Sequence, residues 1–266
     1  ASRGSVWFKR GVHQIGAEEY DGRAIRFENE NLKHIEVGGE PGAVLKGHWN
    51  LMCGNGTVTG VELQDVYKLG EDGYGFDEMG DNCLCACGNS SWAFVDCEVQ
   101  CSGTALRAMD SAEVLWDRVV TGGSDVSIPP PTNWSHVQLP RFLEKVSKHF
   151  GHRDPETGES LFKETAMPKF GVTAWGSARV ELRSSRVVNM SYNGVCASGN
   201  STILLRGSTL CGSGMAGLYM EGYPDVWVTD CVLEGNYVAL SVWGGYTEER
   251  LWKTGAAHGE EEDEEE

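Results

Sequence analysis

No stretch of this chain approaches the roughly 18 consecutive apolar residues that a membrane-crossing helix needs. Positive charge is also scarce. Lysine and arginine together number 22 against 39 acidic residues, for a net charge of −17. A surface of that sign repels phosphate backbones, so nucleic acid is excluded as an expected partner. Seven of those charges lie in the terminal run 260–266, which leaves −17 + 7 = −10 on the rest. That run has no apolar surface to bury and is expected to be a disordered acidic tail, serving either solubility or contact with a basic partner. An even cysteine count is missing too: nine cannot all pair internally. Several sit at apolar positions of the pattern described below, where cysteine acts as a small hydrophobe. Mostly free thiols and a reducing compartment are therefore expected. No phosphate-binding loop, nucleophile elbow or dinucleotide fingerprint is present.

What the chain does have is a repeat over residues 171–243. GVTAWGSARVELRSSRVV starts at Gly171, GVCASGNSTILLRGSTLC at Gly194 and GLYMEGYPDVWVTDCVLE at Gly217, an offset of 23 residues each time. Equivalent positions agree in chemistry: Val172, Val195 and Leu218; Val180, Ile203 and Val226; Leu182, Leu205 and Val228; Ser185, Ser208 and Cys231; Val187, Leu210 and Leu233. A fixed period of this size signals a repeat architecture. Within each row the apolar residues alternate, which is the strand period, and Gly, Ser and Asn separate the short strands. A leucine-rich repeat also has this period, but its fixed LxxLxL run is missing. Leu84, Trp92, Phe94, Cys97 and Val99 repeat the spacing upstream, followed by Leu106, Val114 and Trp116, and Gly56, Val58, Val61 and Leu63 keep its second half. The expected fold is all-β: a single-stranded right-handed parallel β-helix of about 22–23 residues per coil with one helix-containing insertion.

With these rows, and with the opening GVHQIG, LKHIEVGGEPGAVLKG and GTVTGVEL, the chain resembles the right-handed parallel β-helix repeat proteins of the pectate-lyase-like superfold. It looks closest to the non-enzymatic repeat branch also seen in some F-box and cytokinesis proteins. That resemblance implies a fold more than an activity, because β-helices host unrelated functions. Two enzyme classes on this superfold offer tests. Galacturonan hydrolases carry Asn-Thr-Asp, Asp-Asp, Gly-His-Gly and Arg-Ile-Lys motifs, and all four are absent here. The calcium-holding carboxylate cluster of the lyases is not recognisable either. Asp96, Asp117 and Asp230, near turns of different coils, are the residues that would have to converge for a carbohydrate site.

Taken in order, residues 1–23 are expected to form an N-terminal cap, since an open solenoid end exposes backbone groups. Residues 24–123 form the first part of the β-helix, with Ile25, Phe27, Ile35, Val37, Val44 and Leu45 as core candidates. The loop at 64–82 contains Asp72, Asp77, Glu78 and Asp81 without calcium-loop spacing. Cys83, Cys85 and Cys87 lack the CxxC form of a zinc knuckle. Residues 124–169 interrupt the repeat as a Pro-rich and helical loop. LPRFLEKVSKHF has helical spacing, and His149, His152 and Asp154 are its nearest approach to a metal set. A loop this long is usually functional or disordered. Trp134, Phe142, Val146, Phe150 and Phe162 make it a candidate partner-docking element, unless its helix covers the solenoid's own flank. Residues 170–245 form the second part of the β-helix, and 246–266 a C-terminal cap and acidic tail, with Tyr246, Leu251 and Trp252 suited to capping.

No catalytic residue, cofactor or metal is expected. The expectation is a non-catalytic scaffold or accessory subunit that binds protein partners in a larger assembly, photosynthetic or respiratory, in a plastid or mitochondrion. The alternative is a carbohydrate-active or carbohydrate-binding β-helix. Five Asn-x-Ser/Thr triplets, beginning at Asn55, Asn89, Asn133, Asn189 and Asn200, would be glycosylation acceptors in a secreted protein, but Asn- and Ser-rich turns generate them unaided.

Overall fold

A computed structural model describes residues 3–15, 23–27, 34–65, 82–101, 103–122, 169–190 and 192–244. Every regular element among them is a strand, and three strands make one coil. The first coil is β1 (Arg3–Phe8), β2 (Gly11–Gln14) and β3 (Arg23–Phe27); the second is β4 (His34–Gly39), β5 (Ala43–Lys46) and β6 (His48–Leu51). The third is β7 (Asn55–Thr59), β8 (Glu62–Gln64) and β9 (Asn82–Ala86); the fourth is β10 (Ser91–Val95), β11 (Glu98–Gln100) and β12 (Thr104–Ala108). The fifth is β13 (Glu113–Asp117), β14 (Val120–Gly122) and β15 (Phe170–Ala174); the sixth is β16 (Arg179–Arg183), β17 (Arg186–Val188) and β18 (Val195–Gly199). The seventh is β19 (Thr202–Arg206), β20 (Thr209–Cys211) and β21 (Ala216–Gly222); the eighth is β22 (Asp225–Thr229), β23 (Val232–Glu234) and β24 (Val238–Trp243). Each strand pairs in parallel with its counterpart one coil away, so three 8-stranded sheets run the length of the solenoid. Sheet 1 holds the first strand of each coil, sheet 2 the second and sheet 3 the third.

The 23-residue offset is the pairing register itself. Val180 pairs with Ile203 and Ile203 with Val226. Trp92, Val114 and Val180 continue that ladder upstream, beside Phe94, Trp116 and Leu182. Alternation points these side chains inward, where Trp92, Phe94, Trp116, Leu182 and Leu205 are buried. Sheet 3 contributes Leu84, Leu106, Val172, Val195 and Leu218. Between sheets 1 and 2 the chain turns through one residue of positive φ per coil: Gly60, Asp96, Arg118, Ser184, Gly207 and Asp230. A left-handed residue at the same place in each coil keeps the corner tight, so the next inward residue lands on its ladder.

Two coils are long. Val58 to Phe94 is 94 − 58 = 36 residues, and Trp116 to Leu182 is 182 − 116 = 66, yet both pairs lie one coil apart in register. The extra residues, 66–81 and 123–168, both leave at the corner between sheets 2 and 3. The helix and the docking aromatics expected within 124–169 lie outside the described residues, as do Tyr246, Leu251, Trp252 and the acidic tail.

Within residues 1–23, β1 and β2 register on β4 and β5 and begin the first coil. Val6 already stacks on Val37, so the chain is in the repeat as soon as it is described. Val44 is not a core residue. It is half-buried on the outer side of β5 while its neighbours Ala43 and Leu45 are buried, because alternation allows only every second residue inside.

Candidate binding groove on the third sheet

The outer face of sheet 3 carries a grouping of six aromatic residues. Alternation that turns Val172 and Ala174 inward turns Thr173 outward. Thr173 then stands in one row with Arg107, Cys196, Tyr219 and Ser241, each registered on the next coil. A second outward row, one step along the strands, holds Trp175, Ser198, Glu221 and Trp243. Phe170, Tyr192, Met215 and Tyr237 line the side nearest the corner with sheet 2. Together they enclose a groove of about 460 Å³, mostly apolar in lining. Its size falls in the range that takes a small ligand or a short segment of a partner.

The groove is held by backbone bonding at its base and by ring packing along one side. Asn193 Oδ1 accepts from the Ala216 N–H at 3.0 Å, fixing the corner between coils six and seven. The Phe170 and Tyr192 rings stack with centroids 5.4 Å apart and planes 17° from parallel. Trp175 and Trp243 are 52% and 66% exposed, so flat faces remain available at the rim. Burial pushes the Cys196 thiol up to about 12, which keeps it protonated and a poor nucleophile at neutral pH. Burial likewise raises the Tyr192 and Tyr219 hydroxyls, the latter with help from Glu221, so neither is poised as a base.

Glycoside hydrolysis needs two carboxylates within roughly 5–10 Å of each other across the scissile bond. Among the described lining residues the groove has one, Glu221, with Arg107 as its single cation. The aspartates considered for a carbohydrate site lie elsewhere, on the corner between sheets 1 and 2. Arg118 gathers two of them. Its Nε donates to Asp96 Oδ1 at 2.6 Å, its Nη2 to Asp96 Oδ2 at 3.0 Å and its Nη1 to Asp117 Oδ2 at 2.8 Å. The Arg118 hydrogen bonds hold the Asp96 carboxyl below its ordinary range, so it is an ionised partner and not a proton donor. Asp230 does not join them. It occupies the same corner three coils after Arg118, about 14 Å away at ~4.8 Å per coil. The three aspartates therefore form no common site.

On β9, Cys83 and Cys85 are both buried, Cys83 within the core cluster that holds Leu84 and Ala86, while Cys87 beyond the strand is half-buried. Among the described residues no group of three or more His, Cys, Asp or Glu side chains is placed to hold a metal ion. Asp72, Asp77, Glu78, Asp81, His149, His152 and Asp154 lie outside the described residues, as do Trp134, Phe142, Val146, Phe150 and Phe162. Phe170, the first described aromatic after that insertion, sits in the groove wall.

Sequence reasoning missed the groove. Its signal was present in the repeat rows. Trp175 and Tyr219 occupy positions where alternation demands an outward side chain, and a large aromatic there is placed for contact and not for the core. A family model described as the right handed beta helix region matches residues 170–248. No curated protein and no solved structure matches the chain.

Proposed function

From the premise that the chain is a right-handed parallel β-helix repeat protein, we propose that it is a non-catalytic scaffold that engages a protein partner through the outer face of sheet 3. One observation carries this reading: an apolar groove of about 460 Å³, rimmed by exposed Trp175 and Trp243, on a face whose backbone is fixed by in-register pairing. Such a face arrives at the partner already ordered, which lowers the entropic cost of association. Trp and Tyr are enriched among the few residues that carry most of the binding energy at protein interfaces, and each presents a large rigid area. A single lining carboxylate and a protonated Cys196 favour binding over turnover.

The test uses the full chain with Trp175→Ala and Tyr219→Ala combined, and Glu113→Ala on sheet 1 as control. The double variant should lose about tenfold or more of the partner recovered by quantitative co-purification from the native source, with little change in melting temperature. Retention of the partner by the double variant overturns the reading. The flat, part-exposed rings at the rim also suit the apolar faces of sugars, which is the second reading. Glycan-array binding that the same double variant abolishes would put that reading first. Turnover of polygalacturonate, with or without calcium, that Glu221→Gln abolishes would replace both.

A further inference from the structure

The two outward rows that line the groove continue upstream into a cluster of sulfur. Cys85 stands in register with Asn50 and Arg107, so it prolongs the row of Arg107, Thr173 and Cys196 by one coil. The second row passes from Trp175 to Met109, Cys87 and Met52, each one residue beyond the inward Ala174, Ala108, Ala86 and Leu51. Backbone bonds carry the ladder as far as this row. The Met109 N–H donates to Ala86 O at 2.8 Å and the Cys87 N–H to Leu51 O at 3.0 Å. Cys87 thus has one methionine on the coil before it and another on the coil after, each a coil spacing of ~4.8 Å away. Cys85 and Cys87 also meet each other: the Cys85 S–H donates to Cys87 Sγ. Other thiols turn to the backbone instead, Cys53 to Phe27 O, Cys97 to Val95 O and Cys231 to Thr229 O.

We propose that Cys85 and Cys87, flanked by Met52 and Met109, form a binding site for one soft monovalent cation, Cu(I). The donor set selects the metal. Two thiols and two thioethers are soft and all-sulfur, which suits Cu(I). Zinc takes thiolate, imidazole and carboxylate, and thioether is not among its usual ligands. The common iron–sulfur clusters take four cysteines. The Asp110 carboxylate, one residue past Met109, accepts from the Gly88 N–H at 3.1 Å and is occupied by the turn. Charge fits as well. Two thiolates and Cu(I) carry −1, and Arg107, in register beside Cys85, supplies a positive charge to offset it. Cys85 is only 7% exposed, so that offset acts where water screens little. Binding changes no oxidation state: two S–H bonds break, two Cu–S bonds form and two protons leave to solvent. Entry is from the side of Met52, which is 41% exposed, towards the half-buried Cys87. Unbranched methionine side chains with three rotatable bonds swing onto the metal without moving the ladder.

The test titrates the reduced full chain, under argon, with Cu(I) held by the chromophoric competitor bicinchoninate. The parent should withdraw a single equivalent, and X-ray absorption of the loaded protein should show sulfur neighbours only. Cys85→Ser/Cys87→Ser should withdraw none. Met52→Leu/Met109→Leu should bind about tenfold or more weakly. Cys53→Ser/Cys231→Ser, on thiols outside the cluster, should bind as the parent does. The methionine variant keeps every cysteine and changes only part-exposed side chains, so it decides the matter where the serine variant fails to fold. Undiminished binding by the Cys85/Cys87 variant overturns the proposal. So does undiminished binding by the methionine variant, or a loss of copper that follows Cys53 and Cys231 instead. A parent whose Cu(I) uptake is blocked by one equivalent of Zn(II) overturns it too, since the donors would then suit the harder ion.

Discussion

At the scale of single residues, the Ser185, Ser208 and Cys231 column shows why the repeat tolerates polar atoms inside. The Val119 N–H donates to Ser185 Oγ at 3.1 Å, the Ser185 N–H to Ser208 Oγ at 3.1 Å, and the Ser208 N–H to Cys231 Sγ at 3.4 Å. Each side chain accepts from the backbone of the coil before it. Each hydroxyl in turn donates to a carbonyl, Ser185 to Arg183 at 2.9 Å and Ser208 to Arg206 at 3.1 Å. A small donor–acceptor at this corner satisfies a buried amide that the tight turn leaves out of the ladders. Ser185→Ala strips the Val119 N–H of its acceptor, and urea unfolding should report a loss of about 1–3 kcal/mol. Ser208→Cys, which copies the Cys231 position, should cost clearly less. Equal costs for the two would mean that volume and not hydrogen bonding governs the column.

At the scale of elements, the glycine that opens each repeat row does geometric service. Gly171, Gly194 and Gly217 stand at or just before the start of sheet 3 strands, where a Cβ would meet a backbone oxygen of the next coil. A Cβ on Gly194 would meet Gly217 O at 2.7 Å and Ser213 Oγ at 3.1 Å, and a Cβ on Gly171 would meet Val187 Cγ1 at 2.3 Å. The backbone oxygen cannot move without disturbing the coil that follows. Gly194→Ala is therefore expected to cost about 2 kcal/mol or more in chemical denaturation, in the range of overpacked cores. It should also speed hydrogen exchange in both β18 and β21. Gly4→Ala, at a position with open space around the added methyl group, should be close to neutral. Of these features, the column of glycines was legible in the rows as a recurring letter. Its cause was not, because the clash is with the next coil and no contact within one repeat reveals it.

At the scale of the whole molecule, no disulfide joins the nine cysteines, and their burial differs sharply. Burial raises the Cys83 and Cys101 thiols well above the ordinary value, whereas the hydrogen bond from Cys85 lowers Cys87, which is half-buried. Brief iodoacetamide treatment of the native protein at pH 7 should label Cys87 well ahead of Cys83 and Cys101, and all nine should react after denaturation. Comparable native rates for the three would contradict the packing described. By itself, the sequence determined the period, the inward ladders and the register, even across an insertion, because alternation and a 23-residue offset are local patterns that stacking merely repeats. Only the tertiary structure decided which outward side chains become neighbours. Thr173, Cys196 and Tyr219 form one wall because their coils stack, and Asp96 and Asp117 share Arg118 while Asp230 stands three coils away. It also decided where the core stops: Leu240 repeats the chemistry of Leu218, but side chains are buried by the coil that covers them, and among the described residues no coil follows the eighth.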